Sequence, residues 1–165
     1  MKLEDLKDDV LSYKRTQEEI KTKRELWHTH TKNLISETLR KITKTYELDW
    51  DVLIVESTRN QEGVNLTFGN SFNSIYNLDE AGKRNYAKTG GNLVFTQAYN
   101  GDVFIILLSP NINEYESTQD SQKILGKVNP SKIDENLIVH HVSLFLTELA
   151  EWENIKSTNA VGFKM

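Results

Sequence analysis

The chain has 165 residues with 38% hydrophobic and 27% charged side chains, no cysteine and a formal net charge of −4. A polar but not disordered composition of this length fits one domain with or without an appendage, and the missing cysteine excludes disulfides, thiolate metal sites and cysteine nucleophiles. The acidic balance argues against a whole-protein nucleic-acid footprint. No apolar run approaches the roughly 20 residues of a membrane-spanning helix, and the charged start MKLEDLKDDV lacks the apolar region of a secretory signal; both point to the cytoplasm without membrane insertion.

Residues 1–46 carry eleven Lys or Arg against eight Asp or Glu and contain no Gly or Pro. They read as one long helix. Leu3, Leu6, Val10, Tyr13, Ile20, Trp27 and Leu34 recur at heptad spacing, with Gln17, Arg24 and Thr31 at the polar positions of the same seam. A seven-residue repeat drifts around a straight helix and is normally matched by a supercoiled partner. From Ile35 the register changes to Ile35, Leu39, Ile42 and Tyr46, so a kink is expected near residues 28–31. The basic residues Lys14, Arg15, Lys21, Lys23 and Arg24 are interrupted by Glu18, Glu19 and Glu25, which reads as a solvated helix rather than a phosphate-binding stripe.

Residues 47–156 read as an α+β domain. Trp50–Val55 is a nearly continuous apolar run, expected as a strand covered on both faces, and Val64–Phe68 alternates as a half-buried strand does. Residues 70–91 are rich in Asn and Gly, with a short helix expected around Leu78–Ala87 and a turn at Gly90-Gly91. The aromatics of Phe68–Tyr76 are expected to cover a sheet edge. Asn100-Gly101 between Leu93–Tyr99 and Val103–Leu108 predicts a hairpin with a type I′ turn. Val103–Leu108 is apolar on both faces, as a central strand is.

Residues 110–130 read as a polar connection ending in Asn129-Pro130, a helix-start signal. The final helix is expected from Ser131 to about Glu153, with Ile138, Val142, Phe145, Leu149 and Trp152 facing the sheet. Residues 157–165 carry no pattern and read as a loose tail. The expected fold is therefore a long N-terminal helix, a four-stranded, mainly antiparallel sheet and a C-terminal helix packed on it.

The chemistry on offer is thin. The pairs His28/His30 and His140/His141 have the wrong helical spacing to chelate one metal, so no metal site or cofactor is assigned. There is no nucleophile elbow, phosphate loop or dinucleotide fingerprint. His141 falls on the apolar face of the last helix, with Glu148 two turns on. Together with Trp152 and Tyr99 they form the candidate ligand-binding set, in a pocket between sheet and helix. An enzyme using His141 and Glu148 ranks last, and no catalytic residue is assigned.

The function expected first is a non-catalytic interaction or adaptor protein. It would form a homodimer, or hold a helical protein partner, through a contact core of Tyr13, Ile20, Trp27 and Leu34. The alternative is a small-ligand-binding sensor domain.

Overall fold

A computed structural model describes residues 2–56, 62–68, 71–73, 86–112 and 122–160. A 3₁₀ turn at Leu3–Leu6 leads into α1 (Lys7–Leu26), a π-helical turn at Trp27–Thr31 and α2 (Lys32–Thr45). The strands are β1 (Asp51–Glu56), β2 (Glu62–Thr67), β3 (Ser71–Asn73), β4 (Tyr86–Gln97), β5 (Val103–Ile112) and β6 (Gln122–Val128). A 3₁₀ turn at Pro130–Lys132 precedes α3 (Glu135–Ala160). The fold is α+β, as expected, and every strand pair is antiparallel.

The sheet is larger than the four strands expected. Its path is β1-β2-β4-β5-β6, five strands, and the short β3 pairs with the other end of β4. Two of these strands were hidden in polar stretches. β3 lies in the Asn- and Gly-rich segment, where the expected helix around Leu78–Ala87 falls mostly outside the described residues and its last two residues, Tyr86 and Ala87, open β4. β6 lies in the supposed connection 110–130. Its ladder with β5 shifts register between Ile105 and Ile106, so the period of two that reveals a strand is broken. Gly90-Gly91 is likewise a kink inside β4, not a turn: Gly90 pairs with Pro110 and Gly91 takes φ 83°.

One face of the sheet carries the core. Val64, Leu66, Leu93, Phe95, Val103, Ile105 and Leu107 point towards the helices and are buried. Ile35 and Leu39 of α2 and Ile138, Val142, Phe145 and Leu149 of α3 pack against them. Burial alternates from Gly91 to Gln97 and from Val103 to Leu108, and Val94, Phe104, Ile106 and Leu108 on the opposite face are only half-buried. β1 differs from expectation. It is an edge strand and not one covered on both faces: Leu53, Ile54 and Val55 are 49%, 41% and 43% exposed. An apolar run alone does not distinguish a buried strand from an unprotected edge.

Helix ends follow local chemistry. The boundary expected between residues 46 and 47 is a helix stop, with the Leu48 amide donating to the Thr43 carbonyl at 2.9 Å. That six-to-one bond belongs to a Schellman-type end. Glu47 supplies the left-handed residue, φ 51°, that glycine usually fills. Asn129-Pro130 does cap a turn, its side chain accepting from the Ser131 amide. α3 itself begins later than expected, where Asp134 Oδ1 accepts from the Leu137 amide at 2.8 Å. The helix also runs on to Ala160, through the first residues of the expected tail; residues 161–165 lie outside the described residues.

Glu47→Gly should therefore stabilise the protein, by about 1 kcal/mol, because it relieves the strain of a left-handed L-residue. The check is the midpoint of urea unfolding, which should rise with an unchanged slope.

Candidate functional site

The N-terminal helix is the feature that the rest of the fold holds in place. Trp27, Thr31, Ile35 and Leu39 are all 0% exposed. They are spaced by four, and on a regular α-helix each such step advances about 40°, so the stripe would turn by about 120° over its length. The π-helical turn lies at its start, where the Lys32 amide donates to the Trp27 carbonyl five residues back. Its under-winding takes up part of the drift and keeps the stripe on the sheet. This is the structural form of the kink expected near residues 28–31.

Two contacts fix the helix from outside the core. The first centres on Glu62, at the start of β2. Its Oε2 accepts from Trp27 Nε1 at 3.1 Å and Lys32 Nζ at 3.1 Å, and His28 Nδ1 lies 3.5 Å away. Burial pushes the Glu62 carboxyl up; the hydrogen bonds from Lys32 and Trp27 and the charges of His28 and Lys32 outweigh it and hold the group below its ordinary value.

The second contact is the β4–β5 hairpin, which seats its tip on α1. Ala98 donates to the Asp102 carbonyl at 2.6 Å and Gly101 to the Ala98 carbonyl at 2.9 Å. Gly101 has φ 83° while Asn100 does not have positive φ. The loop is therefore Tyr99-Asn100-Gly101 with a left-handed glycine at its end, rather than the expected two-residue type I′ turn. Lys23 Nζ bonds Asp102 Oδ1 at 2.8 Å, and Arg24 Nη2 donates to the Tyr99 carbonyl at 2.7 Å. The hydrogen bond from Lys23 holds the Asp102 carboxyl below its ordinary value against the opposing effect of burial, with further help from Asn100, Lys23 and Lys127. A methyl group on Gly101 would stand 2.7 Å from Lys23 Cβ and 3.3 Å from the Ile20 carbonyl, so glycine lets the loop approach the helix backbone.

Beyond this seat the helix has no neighbour among the described residues. Residues 2–19 are all exposed, including Leu3 at 85%, Leu6 at 39%, Val10 at 45% and Tyr13 at 65%. Of the expected contact core, Tyr13 stands free, whereas Ile20 is half-buried where its carbonyl meets the hairpin. Trp27 is fully buried in its own core, and Leu34 is partly buried against that core. The heptad seam thus does two jobs: its lower third faces the sheet and its upper half faces solvent.

The other candidate residues are dispersed among structural contacts. His141 is buried, its Nδ1 2.8 Å from the Leu137 carbonyl and its ring against Phe95 and His140. Glu148 pairs with Lys123 of β6 at 2.6 Å. Trp152 is half-buried near the end of α3, and Tyr99 is 88% exposed on the hairpin, below the Arg24 guanidinium. His28 is beside Glu62, and His30 is exposed. Among the described residues no group of three His, Asp or Glu could hold a metal ion, and no helix is long and apolar enough to cross a membrane. Sequence reading missed Glu62 and Lys32. Only Trp27, at the register change, hinted that a partner was needed there. The chain matches no family model, no curated protein and no solved structure.

The lowered carboxyl of Glu62 has a definite sign. Its contribution to stability is present above its ordinary value of 4.5 and is lost as pH falls through the lower folded value. Melting temperature should therefore fall on acidification below that point, and Glu62→Gln should flatten this fall. At neutral pH Glu62→Ala should cost about 2 kcal/mol, because Trp27 Nε1 and Lys32 lose their acceptor. Thermal melts of the three proteins across pH 3–7 provide the check. Gly101→Ala should cost a similar amount, about 2 kcal/mol, from left-handed strain and crowding against Lys23, measurable by urea unfolding.

Proposed function

We propose that the protein is a non-catalytic interaction module that self-associates through the free half of its N-terminal helix. One observation carries this reading: Leu3, Leu6, Val10 and Tyr13 continue the seam that is buried lower down, yet all four are exposed. The exposed stretch would reach about 25 Å beyond the hairpin if helical throughout. An isolated helix of this length is marginal in water, so a partner helix lying on the seam would stabilise both. Gln17, next along the seam, lowers the affinity of such a pairing but helps set its register.

The position of the hairpin limits the pairing. Below Ile20 the seam is occupied by the chain's own Gly101 loop, so a partner can use only the part above it. A ligand-binding reading finds less support. Ile138, Val142, Phe145, Leu149 and His141 fill the inner face of α3 with packed side chains.

The full chain should run as a dimer or larger particle in light scattering after size exclusion, across the micromolar range. Val10→Glu with Tyr13→Glu should give a monomer with unchanged circular dichroism in the sheet region, since neither side chain touches the core. A full chain that is monomeric throughout that range, or a double variant that still associates equally well, would discard the proposal.

A further inference from the structure

The two edges of the sheet are unlike each other. β6 has the features that discourage further pairing: a register shift, a glycine at position 126 and two lysines. Those lysines are already engaged, Lys123 with Glu148 at 2.6 Å and Lys127 with Asp102 at 3.5 Å. β1 has none of these features. Its six residues pair with β2 in an unbroken ladder from Asp51↔Thr67 to Glu56↔Glu62, and among the described residues nothing pairs with its other side. Alternate residues of an antiparallel strand turn their N–H and C=O groups away from one neighbour and towards the next. Here no described strand takes the next position, beside three consecutive exposed apolar residues, Leu53, Ile54 and Val55.

Charge selects the occupant. Asp51 and Glu56 bracket the apolar run, with Asp49 just before it, and all three are exposed. None of them takes part in an ion pair among the described residues. A second β1 related by a two-fold axis between Leu53 and Ile54 would set Asp51 opposite Glu56 twice, and facing like charges destabilise a strand pair. The β6 edge of a second copy brings lysines that are already neutralised, on a bulged strand. An extended segment of another protein, apolar at alternate positions and carrying Lys or Arg at both ends, satisfies the backbone groups, the apolar side chains and the acidic ends together.

We propose that the β1 edge is a docking strand for such a basic-ended extended peptide, which adds to the sheet beside Asp51–Glu56. This surface is separate from the free helix and does not depend on self-association.

The test uses the full chain and a fluorescein-labelled nine-residue peptide, with alternating Val and Thr at the centre and two lysines at each end. Saturable binding by anisotropy is expected, together with slower amide exchange in residues 51–56 when peptide is present. Leu53→Lys with Val55→Lys should weaken binding about tenfold or more, since two apolar contacts are replaced by like charges facing the peptide. Both positions are surface-exposed, and an unchanged melting temperature certifies the fold. Asp51→Asn with Glu56→Gln should weaken binding and reduce its salt dependence. A peptide with proline at alternate central positions should not bind, and one with glutamate in place of lysine should bind worse.

The proposal is overturned by any of four results. One is that the lysine-ended peptide does not bind. Another is that the proline peptide binds equally well, or that the lysine double variant retains wild-type affinity. The last is that the lysine double variant abolishes a dimer of the peptide-free protein, which would assign the edge to a second copy.

Discussion

A helix whose buried residues recur every four positions cannot lie straight along a sheet for long, because its stripe rotates by about 40° with each step. This protein meets that constraint within a single turn. The π-helical segment Trp27–Thr31 absorbs part of the mismatch, and it is the point at which a free helix becomes a packed one. Placing Trp27 at zero exposure brings its indole nitrogen to Glu62, and the same turn carries His28 to that carboxylate and leads directly to Lys32. A buried tryptophan N–H needs an acceptor. A carboxylate at the start of β2 therefore couples the helix register to the sheet register.

This coupling sets the direction in which α1 leaves the domain. The hairpin tip then holds that direction from the other side, through the Lys23–Asp102 pair and the close approach of Gly101 to Ile20 and Lys23. Asp102 is organised by its own loop, since Asn100 both donates to its carboxylate and accepts from its amide. The ion pair is largely shielded, with side-chain exposures of 22% and 15%, so it orients the helix more effectively than an isolated surface pair. A helix anchored at Trp27 and clasped at Lys23 leaves the core in a fixed direction, and a segment held in direction loses less entropy on meeting a partner than one that is not.

Much of this was legible in the residues, and the failures have physical causes. The helical N-terminus, the discontinuity near residue 30, the Asn-Gly hairpin and the inner stripe of α3 all depend on local periodicity or turn chemistry, which sequence records directly. β6 gives no strand signal because a bulge breaks its period and its lysines make it read as a loop. β1 reads as a strand but not as an edge, because DVLIVE has the composition of a central strand and only the topology shows that no described strand lies beyond it. Trp27 reads as a partner-interface residue for a related reason. A heptad seam reveals that a helix has an apolar side, but not how much of that side its own domain covers. Glu62, 35 residues from Trp27 in sequence, left no periodic trace at all.

The uncovered surfaces follow from the same arrangement. An antiparallel sheet with helices on one face has two edges to protect, and here only β6 is guarded by bulge and lysine. At β1 the charges stand at the ends of the strand instead of along it, at Asp51 and Glu56, leaving the apolar centre open. Charges in the middle of an edge repel every incoming strand. Charges at its ends repel a copy of the same strand and attract one of opposite sign. Such an edge opposes assembly of the protein into a continuous sheet while remaining open to a basic-ended segment. The unprotected strand is thus compatible with the proposed pairing of copies through the free helix.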